Sequence, residues 1–321
     1  MSLADAHRSS LNPAALTMNP TVNILLSTYN GEKFLRQQLD SLLAQSYPNI
    51  LIHIRDDGSS DKTIEILEAY THAHSNIRLT KGENLGAAKS FFQLLLNADS
   101  QCAYFAYCDQ DDVWKTDKIE RAIAMHEQED QTQPLLYFSE FEIVDTSLNR
   151  IASSTPYQFY DFRTALLQNV PFGCTQVWNN AAQQVLSRHV PSFFYMHDWW
   201  NFLVISGIGK VLYDPSETLY YRVHGENVFG QTTSLMSRFK NRVRLLRKRD
   251  MPVLSAWRQA VEFERLFASY LLPEHQAVLS NFTRSKESLV RRLHYALFGE
   301  ARRASRLDNV IFKAMVMFNY Y

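Results

Sequence analysis

Between residues 22 and 129, short apolar runs alternate with segments whose apolar positions recur every three or four residues. Residues 22–27, 50–54, 77–79 and 103–108 are apolar runs of strand length. After the first, Leu35, Leu39, Leu42 and Leu43 share one face of a helix predicted over 32–44. Ile64, Leu67 and Tyr70 mark a second helix, and Phe91, Phe92 and Leu95 a third. A fourth is predicted over 115–129. This alternation, with short polar loops, predicts an α/β fold with a mostly parallel sheet and helices on both faces. Ligands of such sheets sit beyond the carboxyl ends of the strands. Tyr29, Asp57, Asp109 and two glycine-bearing loops fall there, so one cleft can collect them.

The second half has a different pattern. Residues 135–139, 141–144, 211–213 and 218–221 read as strands, 163–168 and 180–188 as helices, and 172–178 as an extended segment. From Leu235 the chain becomes basic and helical. The expected division is a disordered tail over 1–20, an α/β domain over 21–234 and a basic helical region over 235–321.

The stretch Asp109-Gln110-Asp111-Asp112-Val113-Trp114 follows an apolar strand directly. Carboxylates there cost free energy unless they are paired, hydrated or bound to a cation. With extended backbone, Asp109 and Asp111 point to one side. Two hard oxygen donors on one side suit Mg2+ or Mn2+, whose other ligands are typically water and substrate phosphates. The stretch alone equally admits a turn with a helix cap at Asp112 or Thr116, or a solvated acidic loop. A calcium loop is excluded, because Trp114 stands where a glycine is required and Val113 cannot ligate.

Three other clusters carry candidate chemistry. In Asp56-Asp57-Gly58-Ser59-Ser60-Asp61, an acid can accept from a base imide or a ribose hydroxyl, and Ser59 or Ser60 can cap the next helix; a capped turn is the plain alternative. In His197-Asp198-Trp199-Trp200, an acid desolvated beside tryptophans can serve as a base, and an aromatic ring can stack on a sugar. The alternative is a capping acid with core tryptophans, although two adjacent tryptophans are not expected to face one core together. In Arg222-Val223-His224, alternation puts both basic groups on one side of a strand end, where they can bind a diphosphate or simply be solvated.

Composition narrows the classes. Hydrophobic residues make up 46% and charged residues 21%, as in soluble globular proteins. Zero formal net charge argues against nucleic-acid binding by bulk electrostatics. The charge is unevenly spread, with 17 basic against 7 acidic residues from Leu235 onward. Cys102, Cys108 and Cys174 have no metal-type spacing and read as reduced thiols of a cytoplasmic protein. No signal peptide or membrane-spanning run is recognised. Neither glycine loop has the spacing of a Walker or dinucleotide fingerprint.

In order and spacing, seven stretches over residues 22–230 resemble family 2 inverting nucleotide-sugar glycosyltransferases of the GT-A fold. They are Ser27-Thr28-Tyr29-Asn30-Gly31, Asp56 to Asp61, Asn84-Leu85-Gly86, Asp109 to Trp114, Gly173-Cys174-Thr175, His197 to Trp200, and Arg222 to Asn227. The variants present here look most like bacterial rhamnosyltransferases of surface polysaccharide synthesis. The resemblance implies that Ser27, Tyr29, Asp57 and Asn84 hold the donor nucleotide, and that Asp109 and Asp111 hold a divalent cation, Mg2+ or Mn2+. It makes Asp198 the catalytic base and sets Arg222 and His224 over the diphosphate. Gly173, Cys174 and Trp199 fall near the donor sugar or acceptor. Many relatives have Glu-Asp where this chain has His197-Asp198, so the role of His197 is open.

The implied partners are a dTDP- or UDP-linked sugar and a glycan or lipid-linked acceptor. The basic C-terminal helices suit peripheral contact with the inner face of a plasma membrane, or equally a helical cap. Two other readings stand beside this one, a nucleotidyltransferase and a non-catalytic sugar-binding module.

Overall fold

The computed structural model describes residues 19–224 and 252–321, with side chains of the second stretch from Ser255. The expected tail up to residue 18, Gly225-Glu226-Asn227 and the arginine-rich run 238–249 lie outside the described residues.

Strands β1 (Val22–Thr28), β2 (Ile50–Asp56), β3 (Ile77–Lys81) and β4 (Tyr104–Cys108) alternate with helices α1 (Leu35–Leu43), α2 (Thr63–Ala73) and α3 (Ala87–Leu96). They pair in parallel in the order β3-β2-β1-β4. The two-residue strand β5 (Val113–Trp114) precedes α4 (Lys118–His126), which is shorter at both ends than expected. β6 (Leu135–Val144) is one long strand where two were expected, and β7 (Arg150–Ser153) folds back on it. The short helix α5 (Phe162–Ala165) is capped by the Asp161 side chain. The expected extended stretch after it is instead a 3-10 turn, Gly173–Thr175, followed by β8 (Val177–Asn179). Asn179 caps α6 (Asn180–Arg188), and α7 (His197–Ile208) leads into β9 (Lys210–Arg222).

The full sheet is mixed rather than mostly parallel. β8 runs antiparallel between β4 and β6, and β9 pairs parallel to β6 and antiparallel to β5. Side chains alternate across β1 and β4. Ile24, Leu26, Ala106 and Cys108 face α1, α2 and α4, whereas Leu25, Phe105 and Tyr107 face α3, α6 and α7.

The C-terminal helices are α8 (Pro252–Phe267), α9 (Pro273–Thr283), α10 (Leu289–Phe298) and α11 (Arg306–Met317). They continue the second core: Phe263 and Phe267 lie 6.4 and 6.1 Å from the Trp200 ring. α7 is therefore enclosed, with eleven of its twelve residues buried. A helix apolar on all sides belongs in such a place.

Candidate active site

The rim formed by the first half is built from hydrogen bonds between its own loops. After β1, the Tyr29 N–H donates to Gln110 Oε1 (2.9 Å) and Gln110 Nε2 donates to the Tyr29 carbonyl (3.0 Å). A Cβ on Gly31 would lie 2.2 Å from Gln110 Oε1, so this clasp requires glycine. Tyr29 itself is largely exposed at the cleft edge.

After β2, Asp57 is buried and ion-paired to buried Arg55. Its two carboxylate oxygens also accept the Leu85 and Gly86 N–H groups, both at 2.9 Å. Asp57 thus fixes the loop that carries Asn84 and still borders the cleft. Arg55 further donates to Ser90 Oγ (2.8 Å), which lies 2.6 Å from Ser27 Oγ. Neither serine expected to cap α2 does so. Ser59 instead bonds Asp56 and accepts the Asn30 N–H.

The acids after β4 depart from the expected extended geometry. β4 ends at Cys108 and the chain bends at residues 110–111, so strict side-chain alternation does not apply. Asp109, Asp112 and Cys174 each bring one potential ligand atom within 4.8 Å of the others. Burial first, then the charges of Asp111 and Asp198, push the Asp109 carboxyl up to about 8. Asp111 lies 2.8 Å from His224 Nε2. Asp112 is fully buried and accepts the Arg222 N–H (3.1 Å), and its other oxygen has no hydrogen-bond partner among the described residues. It caps no helix.

The rim formed by the second half centres on the first turn of α7. Asp198 Oδ2 accepts from Asn169 Nδ2 (2.8 Å) and the Gly173 N–H (3.1 Å), and Oδ1 from the Trp199 N–H (2.8 Å). Burial outweighs these bonds and raises the carboxyl to about 6. His197 stacks on Phe91 at 4.1 Å and meets Tyr107 edge-on at 4.6 Å. Neither of its ring nitrogens has a hydrogen-bond partner among the described residues, and burial lowers its pKa to about 3. It is therefore a neutral imidazole at physiological pH.

Three expected site residues lie elsewhere. Trp199 is 2% exposed, and its indole N–H donates to the Ala165 carbonyl (2.6 Å). Both tryptophans are core, because α7 has packing partners on every side. Cys174 is buried beneath Asp109 and Asp112 and does not line the cleft, although Gly173 does. Arg222 is also buried. Its guanidinium donates to the Asp111 and Thr146 carbonyls and to Gln37 Oε1, at 2.8, 2.7 and 2.6 Å, and lies over the Phe34 ring. It holds the acid loop from behind instead of facing a diphosphate.

Ser27, Tyr29, Asp57, Asn84, Asp109, Asp111, Gly173, Asp198 and His224 all border one cleft of about 640 Å³. Arg55, Gln110, Asn169 and Lys118 were not singled out from the sequence. Lys118 is fully buried behind the acids, 4.8 Å above the Trp114 ring, and burial lowers its pKa to about 8. Arg55, Gln110 and Asn169 reach partners 28, 81 and 29 positions away, and Lys118 lies behind the cleft, so no local pattern marks these contacts.

A mixed α/β sheet with acids at its strand ends, and a cleft between two unlike halves, defines a GT-A glycosyltransferase fold. Residues 23–178 match the model described as glycosyl transferase family 2, a family of transferases. An uncharacterized glycosyltransferase of Rickettsia typhi is 29% identical over 217 residues, a match covering 65% of each chain. A dTDP-rhamnosyl transferase of Shigella flexneri, RfbG, is 26% identical, with 67% of this chain and 77% of that one covered. Among solved structures, S. aureus TarS 1-349 in complex with UDP-GlcNAc superposes with a TM-score of 0.54 at 16% identity, covering 94% and 91% of the two chains. The Pyrobaculum calidifontis mannosyltransferase PcManGT, with GDP-Man and Mn2+, gives 0.51 at 15% identity, covering 95% and 85%.

Proposed function

We propose that the chain transfers a sugar, rhamnose in the first instance, from a dTDP- or UDP-linked donor to a glycan or lipid-linked glycan, with inversion at the anomeric carbon. The observation that carries this reading is a buried carboxyl, Asp198, raised to about 6 and bordering the same cleft as Asp109 and Asp111. An acid with a pKa near neutrality is matched to general-base work.

In this mechanism Asp198 accepts the proton of the attacking acceptor hydroxyl as the new glycosidic bond forms and the bond to the nucleoside diphosphate breaks. Asn169 and the Gly173 N–H hold the carboxylate toward that hydroxyl. The Tyr29 loop and the Asn84 loop border the nucleotide end of the cleft. His224 stands beside Asp111 at the diphosphate end.

The crowded carboxylates of Asp109, Asp111 and Asp112, one with a buried oxygen unpartnered among the described residues, fit a hard divalent cation. Asp109 and Asp111 would hold it, and when bound it supplies charge neutralisation for the diphosphate. The Mn2+ in the PcManGT structure and the UDP-GlcNAc in that of TarS support this reading, as does the RfbG relative for rhamnose. A lipid-linked acceptor brings the reaction to a membrane surface; no helix among the described residues is long and apolar enough to cross one.

The test is release of nucleoside diphosphate on mixing with dTDP-rhamnose, or with UDP-sugars, plus acceptor and Mn2+. Release is expected to stop with chelator. No release from any nucleotide sugar with cation present would remove the transferase reading for this site.

A further inference from the structure

The last two helices present an unusual outer surface. The inner face of α10 is Tyr295 and Ala296, and that of α11 is Phe312 and Val316. A surface helix normally carries polar residues opposite such a face. α1 does so, with Arg36, Gln37 and Asp40 outward. α10 and α11 do not. Val290, Leu297 and Phe298 on α10, and Leu307, Val310 and Phe318 on and just after α11, are each 60–77% exposed. Leu293 and Ile311 extend the same faces at 39 and 40%. Among the described residues nothing covers them. α10 and α11 pack on one another, so the two apolar faces lie on neighbouring helices. Exposed apolar side chains in such number mark an interaction site.

Charge selects the partner. Residues 284–321 carry eight Lys and Arg against three Asp and Glu. A hollow of about 340 Å³ beside the apolar face is lined by Arg284, Arg291 and His294, with Val290 and Phe298 in its wall. Arg291 is ion-paired with Glu287, whereas Arg284 has no acidic partner among the described residues. Two copies meeting through this surface would bring like charges together. An anionic lipid surface offers acyl chains to the leucines and phenylalanines and phosphates to the arginines.

We propose that the outer faces of α10 and α11, with the adjoining arginine-lined hollow, dock on an anionic lipid bilayer. Docking there deepens the lipid-linked acceptor reading and rests on it for its role, although binding is measurable without sugar transfer.

The experiment is co-sedimentation of the full chain with phosphatidylglycerol-containing vesicles and with pure phosphatidylcholine vesicles. Wild-type protein should bind the anionic vesicles, less tightly as salt rises, and bind the neutral ones little. Leu297→Asp combined with Phe318→Asp should weaken binding about 100-fold, since two large apolar side chains leave the interface and two negative charges enter it. Both side chains are exposed, so thermal unfolding should be unchanged. Equal binding by wild type and variant would overturn the proposal. So would a dimer in sedimentation velocity that the variant dissociates, with no vesicle binding by wild type. Nucleoside diphosphate release in solution, measured alongside, is expected to be the same for both proteins. Its absence from wild type would remove the transferase reading and leave the docking result standing.

Discussion

The two rims of the cleft are built on different principles. On the β1 and β2 side, buried polar groups are matched by the protein itself, unlike the acids that follow β4. Asp57 is held by Arg55 and two backbone N–H groups, and the Tyr29 backbone is clasped by Gln110. On the α7 side, matching is incomplete. Neither His197 nitrogen has a partner among the described residues, and the Asp198 carboxyl is raised to about 6 despite its hydrogen bonds. Buried polar groups without partners cost stability. That cost falls on the cleft wall formed by His197 and Asp198, while the loops after β1 and β2 are matched internally.

The contrast predicts that damage to the α7 rim is read in turnover and damage to the opposite rim in stability. The largest effect is expected from Asp198→Asn. Loss of a general base should lower turnover by about 100- to 10,000-fold, with donor affinity by calorimetry nearly unchanged. The pH profile should change with it. A base with its pKa raised to about 6 is protonated below that value, so wild-type kcat/KM, measured in saturating Mn2+ to keep Asp109 ionised, should climb as pH rises toward 6 and level off above it. The variant should lose that step. The sign for stability is opposite: the raised carboxyl favours the folded state at low pH, and this contribution fades as pH rises from the unfolded carboxyl range through about 6. Wild-type turnover in the Asn variant would place the base elsewhere.

Next in size is Arg55→Met, which strands the buried Asp57 charge. Breaking such a pair from one side costs about 3–5 kcal/mol, measurable by urea unfolding. A loss below about 1 kcal/mol, the range of exposed pairs, would mean that this rim is not held as described.

The smallest effect is expected from Gly173→Ala. The added Cβ would sit 3.1 Å from His197 Nε2 and 3.5 Å from the Asp198 Cβ. Overpacking of this kind costs about 1–3 kcal/mol. Displacement of the base should lower kcat more than it raises KM. Unchanged kinetics would show that the imidazole gives way without moving Asp198.

The same contrast governs what could be read from sequence. The alternation from β1 to β4 is local, so its strands, helices and loop positions were legible. Mutual bracing was not: Arg55, Gln110 and Arg222 reach partners 28, 81 and up to 185 positions away. Asp109 and Asp111 do border one cleft, but the strand alternation expected to put them there failed, because the strand stops at Cys108 and the chain bends. The expectation that one of Trp199 and Trp200 faces the cleft failed for a different reason. It assumed a single core, and nothing near those residues announces that helices beginning some fifty positions later close over the other side of α7.

The guanidinium of Arg222 ties three distant chain segments to the underside of the acid loop. That loop is thereby an anvil rather than a hinge. Its carboxylates are set by bracing from β9, α1 and the turn after β6, in advance of anything that enters the cleft.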